Sequence, residues 1–147
     1  MKIGFLIERA ERISTDDLIA QGWFAVSHLW VQSKADRRVA TGNWFRIESE
    51  FFKIYRILRF RPQLASDTAK GTGEIMIDYD GWNQLSGFAE KTPTHLRLRF
   101  QRATFFEFVG CISSHPDPGY RLAGWLGVVS VLLGAIGLAL GIISMFK

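Results

Sequence analysis

The sequence predicts an α+β protein in two parts. One is a small soluble domain built on an antiparallel β-meander that curls towards a barrel and carries a single N-terminal helix. The other is a single C-terminal transmembrane helix. Three observations predict this. Leu122–Phe146 is an unbroken uncharged run, bounded by Arg121 and Lys147. Stretches between Asn43 and Arg102 alternate apolar and polar residues with period two, as half-buried strands do. The stretch from Ser14 to Lys34 instead spaces its large apolar residues at three and four, as one face of a helix does.

The uncharged run sets the class. A bilayer core needs about 20 apolar residues in helical conformation, and this run has 25. Thirteen of them are Leu, Ile, Val or Phe, each favouring the bilayer centre by roughly 0.3–0.6 kcal/mol. Insertion is therefore favoured by several kcal/mol even with the Gly and Ser residues counted against it. The expected division is a soluble domain over 1–112, a Pro/Gly stalk over 113–121 and a membrane span over 122–146. The lipid bilayer is the first partner implied.

Charge and cysteine content bound the rest. The formal charge of +4 falls to +2 once Arg121 and Lys147 are set aside, too weak a bias to argue for nucleic acid by charge alone. The N-terminal MKIGFLIERAER has an apolar stretch too short for a secretory signal, and the chain has a single cysteine, Cys111. Together with Arg121 at the near end of the span, these features predict a single-pass protein whose N-terminal domain is cytoplasmic.

Taken in order, Lys2–Glu8 predicts a buried strand. Ser14 or Thr15 can cap a following helix over 15–34, with Asp16 and Asp17 at its positive end and Ile19, Trp23, Val26 and Trp30 on its apolar face. Phe45, Ile47 and Phe51 alternate with Trp44, Arg46 and Glu48. In the next strand Phe52, Ile54, Leu58 and Phe60 alternate with Lys53, Tyr55 and Arg59, and Arg56 breaks the apolar face. Ser66–Gly73 reads as a polar loop, Glu74–Tyr79 as a third strand and Asp80-Gly81 as a tight turn. Trp82–Ala89 fits a short helix or a strand. His95–Arg102 alternates again, and Thr104–Ile112 is apolar enough for a buried strand. Short connections favour antiparallel pairing of strands in chain order.

Two polar or small-residue sets point to recognition. Arg97 and Arg99 share one strand face, and Tyr55, Arg56 and Arg59 lie on another strand. Interleaved with aromatics, they suit an anionic ligand: a lipid headgroup, a nucleotide or nucleic acid. The same charges can also pair with strand carboxylates. Within the span, Gly127, Ser130, Gly134, Gly137, Gly141 and Ser144 recur at alternating spacings of three and four, a small-residue seam that predicts a homo-oligomer or packing against a partner transmembrane helix.

Catalytic patterns are a different matter. Cys111, His115 and Asp117 supply at most three of the four ligands a structural zinc needs. Asp78 and Asp80 lack the remaining oxygens of a cation loop, and Lys70–Gly73 leads into a strand, so its amides do not converge on a phosphate. No Ser/His/Asp set, HExxH, CxxC or dinucleotide fingerprint occurs. These patterns give no catalytic residue, metal ligand or cofactor, and an enzyme is not the leading expectation. The leading expectation is a tail-anchored module for binding or assembly at the membrane surface. A membrane-perturbing effector whose soluble domain senses a ligand, and an anchored enzyme, are the alternatives.

Overall fold

The computed structural model describes residues 3–13, 19–89 and 93–145. The first strand, β1 (Gly4–Ile13), runs further than its apolar start suggested. Its pairing register slips between Ile7 and Ala10. Such a bulge turns two consecutive residues outward, so Glu8 and Arg9 are exposed while Ile7 and Ala10 stay in the core. The charges that resembled a strand end are accommodated within the strand. Lys2 lies outside the described residues.

The helix expected over 15–34 is not formed where the structure describes that stretch; Ser14 to Leu18, including both candidate caps, lie outside the described residues. Trp23–Val26 is instead strand β2, followed by one 3-10 turn at His28–Trp30 and a short helix α1 (Lys34–Ala40) capped by Ser33. Phe24, Ala25 and Val26 are all buried. A strand covered on both faces reads as a continuous apolar run, which periodicity does not separate from a helix. Gly22 precedes it with φ +82°, a left-handed conformation that a glycine adopts freely.

Strands β3 (Trp44–Glu48) and β4 (Lys53–Phe60) form the expected antiparallel hairpin. Beyond it come β5 (Ser66–Asp67), β6 (Thr72–Ile77) and β7 (His95–Arg102). Asp80-Gly81 is not a hairpin turn. It lies in the first turn of α2 (Tyr79–Leu85), because the Asp78 carboxylate accepts the Gly81 amide at 2.9 Å and caps that helix. Burial of Trp82 and Leu85 then settles Trp82–Ala89 in favour of the short helix. Thr104–Ile112 is likewise not a strand. Glu107 accepts from both the amide and the hydroxyl of Thr104, at 2.8 and 2.9 Å, and this reciprocal end-group pairing starts a 3-10 turn at Phe105–Glu107 that runs into α3 (Phe108–Ser113).

The sheet is mostly antiparallel and closes on itself, but not in chain order. Around the ring run β1, β7, β3, β4, β2 and β6, and β6 returns to β1; β5 adds two residues to β6. The β1–β6 and β2–β4 pairs are parallel, so the simple meander is corrected to a near-barrel in which most neighbouring strands are not consecutive in the chain. The interior holds Ile7, Phe24, Phe45, Ile47, Leu58 and Leu98, with Trp82 and Leu85 from α2 closing in. The Phe100 ring stacks on Phe5 at 4.6 Å and on Phe24 at 5.4 Å. Each fully buried apolar side chain contributes about 1.5–3 kcal/mol relative to exposure.

The last element, α4, spans Pro118–Met145, 28 residues. Among the described residues it is the one helix long and apolar enough to cross a membrane, and none of its most apolar stretch is buried against the barrel. Phe146 and Lys147 lie outside the described residues.

Candidate functional site

The root of α4 is fixed to the barrel. The His115 ring is buried, stacked on Tyr120 of the first helical turn at 4.2 Å and edge-on to Trp44 of β3 at 5.9 Å. The Asp117 amide donates to His115 Nδ1 at 3.1 Å, which requires that nitrogen to be unprotonated. Burial pushes the imidazole below its ordinary pKa, in keeping with that role. Ile112 of α3 packs on Gly124 of α4 so closely that a Cβ there would stand 2.6 Å from the Ile112 Cγ2. Within the stretch expected as a Pro/Gly stalk, His115 and Tyr120 thus form a junction packed on the barrel.

Arg56 is part of the same junction. Being in phase with Ile54 and Leu58, it points inward, and only 1% of its side chain is exposed. Its guanidinium donates to Asp78 Oδ1 at 2.9 Å and Oδ2 at 3.2 Å, and to the carbonyls of Tyr55 and Ser114 at 2.9 Å each. This side chain joins β4, the start of α2 and the end of α3, and directs four of its five N–H donors to those partners. Tyr55 is also buried, its hydroxyl donating to Glu107 at 3.2 Å.

The remaining arginines singled out in the sequence are on the outside. Arg97 and Arg99 lie together on the outer face of β7, Arg97 in an ion pair with Glu8 at 2.7 Å. Arg99 is exposed and has no ion pair among the described residues. Arg59 lies apart from them, on the far side of β3, with its guanidinium 4.2 Å over the Trp23 ring. The structure therefore brings Arg97 and Arg99 together and leaves Arg59 separate.

Beside Arg99 a groove of about 810 Å³ opens, lined by Phe5, Arg46, Gln101, Arg102, Thr104 and Glu107. Arg46 holds its wall, donating to Gln101 at 2.6 Å and pairing with Glu107 at 2.5 Å and Glu48 at 2.8 Å. Burial alone would raise the Glu107 carboxyl, but the Thr104 amide, the Arg46 guanidinium and the Thr104 hydroxyl outweigh it and hold it at about 2. A carboxylate depressed in the fold stabilises fully above its unfolded value, near 4.5, and the contribution disappears as pH falls towards 2. Glu107→Gln should accordingly flatten the dependence of melting temperature on pH across that window. An unchanged acid limb would show that the network adds nothing to stability.

Arg46, Arg102 and Glu107 were missed as site residues, although signals for them were present. Arg46 sits outward in the alternation of β3, Arg102 ends the alternation of β7, and Thr104–Glu107 has the spacing of a capping box.

A second cavity, of about 460 Å³, lies across β1, β5, β6 and β7, with Arg9, Glu11, Ser66, Asp67, Glu74 and His95 on its walls. Arg9 donates to His95 Nε2 at 2.7 Å. Among the described residues no group of three His, Cys, Asp or Glu is placed to hold a metal ion. Cys111 is buried, and burial pushes its thiol up to about 11, far from a nucleophile at neutral pH.

No family model matches the sequence, and no curated protein matches it. Among solved structures, the apo crystal structure of an expansin from Clavibacter michiganensis overlaps with a TM-score of 0.45 and 8% identity, covering 70% of this chain. The chain spans about half of that structure, 52% of its length.

Proposed function

We propose that the protein is a membrane-anchored binding module: α4 crosses a bilayer once and holds the barrel at the cytoplasmic surface in a fixed orientation. The observation that carries this reading is the combination of an apolar, unburied 28-residue helix with a root docked onto the barrel. A helix surrounded by protein would be buried, and one that only tethers would not have its first turn stacked on His115 and Trp44. Arg121 beside the apolar run supports the cytoplasmic side. Arg97 and Arg99 supply the positive face for an anionic partner. The small-residue seam of α4 supports assembly of spans, because Gly127, Gly134, Gly137 and Gly141 have open space where a Cβ would be.

The test is topology. Fused to an N-terminal reporter, the full chain should resist alkaline carbonate extraction, and the barrel should be open to protease in sealed inverted vesicles. Truncation after Tyr120 keeps the His115 stack and should release a folded, soluble domain. Protection of the barrel in inverted vesicles would reverse the orientation, and a carbonate-soluble full chain would end the anchor reading.

A further inference from the structure

The most exposed aromatic side chains of the barrel domain lie where α4 leaves it. Phe105 and Phe106 are 87% and 93% exposed, and Phe108 and Val109 are exposed beside them. Adjacent aromatics turned fully to solvent mark an interaction surface rather than a folding requirement. Both ends of this segment are tied to the root of α4. The Ala103 amide donates to the Trp44 carbonyl at 2.9 Å, and the Trp44 ring lies 6.1 Å from that of Tyr120. At the other end, Ile112 packs on Gly124, which lies inside the uncharged run that begins at Leu122. The segment from Ala103 to Ile112 is thus bracketed by Tyr120, just before the uncharged run, and Gly124, within its first turn, which is where α4 would enter a bilayer.

The polar neighbours suit the same place. Thr104 and Glu107, which bracket the two phenylalanines, form part of the wall of the groove that also contains Arg99 and Arg102. Arg46 in that groove is neutralised by Glu107 and Glu48. Arg102 donates to the Asn43 side-chain oxygen at 3.5 Å, and neither Arg102 nor Arg99 has an ion pair among the described residues. Arg99 and Arg102 therefore stand exposed behind an apolar edge, and together with Arg46, Glu48 and Glu107 they leave the cluster with a net charge of +1. Aromatic rings favour the interfacial layer of a bilayer, and arginines near an anionic surface gain from its phosphates.

From this continuity we propose a second membrane contact, resting on the reading that α4 lies in a bilayer. Phe105, Phe106, Phe108 and Val109 insert as a wedge into the interfacial layer beside α4, and Arg99 and Arg102 engage the phosphates of anionic lipids. The contact fixes the tilt of the barrel and makes its seating depend on lipid charge. The occupant is the bilayer that holds α4, since the segment is bracketed by residues at the point where that helix would enter it.

The experiment uses the full chain in proteoliposomes of phosphatidylcholine, with or without a minority of phosphatidylglycerol. An environment-sensitive fluorophore is attached through Phe106→Cys, or through Lys70→Cys on the exposed β5–β6 turn as control; the buried, poorly ionised Cys111 leaves the introduced thiol as the reactive one. At 106, quenching should come from spin-labelled acyl chains, with iodide quenching several-fold weaker than at 70. Phosphatidylglycerol should deepen that protection, and Arg99→Gln with Arg102→Gln should remove the deepening. If iodide reaches 106 as freely as 70 while the protein stays carbonate-resistant, the wedge is overturned and the anchor stands. If carbonate extracts the protein, the anchor reading fails first. A lipid dependence unchanged in the double variant would overturn the headgroup contact.

Discussion

Asp78→Asn should destabilise the barrel by about 3–5 kcal/mol, the cost of leaving one partner of a buried ion pair alone. That is a large part of the roughly 5–15 kcal/mol that holds a domain of this size together. The substitution is informative because Asn still accepts the Gly81 amide and so preserves the α2 cap. What remains is the loss of charge opposite Arg56, whose side chain is 1% exposed and which has no neutral form to retreat to. The reverse single change, Arg56→Met, should cost less on the electrostatic side, because Asp78 is 14% exposed and can be partly solvated. It also frees the Ser114 carbonyl, at the foot of α4. Joint replacement, Arg56→Met with Asp78→Asn, should recover part of the loss, since a charged pair exchanged for apolar and neutral groups is often close to neutral. Urea titration of the full chain in detergent, followed by tryptophan fluorescence, reads all three. A cost below about 1 kcal/mol for Asp78→Asn, the range of an exposed pair, would show that the clamp carries no weight.

The same pair shows what the sequence could and could not convey. Arg56 was visible as a break in an otherwise apolar strand face, and a charge at an inward position needs a partner. Nothing in the spacing named Asp78, because the two are 22 residues apart and meet only through barrel closure. Elements with one wetter face were legible: β3 and β7 alternate and were found where expected, and β4 was found as well although Tyr55, read as outward, is buried. Elements dry on both faces were not. β2 lost its period and resembled a helix, and closure by the parallel β1–β6 pair joins segments whose sequences give no sign of one another. The short helices after Asp78 and Thr104 turned on single side chains that capture backbone amides, a local competition that apolar content does not reveal. Half of the positive face was legible for the same reason. Arg97 and Arg99 alternate outward on β7, whereas the groove beside them depends on how the turn at Phe105–Glu107 folds back to bring Glu107 to Arg46 of β3. The exposed apolar helix was the plainest feature, since length and absence of charge suffice to specify it.

Gly134→Ile combined with Gly141→Ile should reduce span association to the level of a non-associating control, whereas Leu133→Ile should leave it intact. The seam runs through Gly127, Ser130, Gly134, Gly137, Gly141 and Ser144, and its mean spacing of three and a half residues keeps it on one side of a supercoiling helix. Lipid tails are as apolar as leucine, so spans associate through close packing rather than through exclusion from water. Nothing lies within 4 Å of where side chains would begin at Gly127, Gly134, Gly137 and Gly141, so a second backbone could approach there. Ser130 adds little bulk, because its hydroxyl already donates to the Leu126 carbonyl at 2.8 Å and stays against its own helix. Two branched side chains on that seam hold the backbones apart, and the packing energy falls steeply with even a small gap. At Leu133 the exchange conserves volume and lies off the seam. A membrane two-hybrid assay in the full-length context reads the difference, and equal signals from all three constructs would refute assembly through this face. Because His115 and Trp44 fix the root of α4, spans that associate would carry their barrels into a defined relation, bringing Arg99 and Arg102 of two copies to one membrane surface.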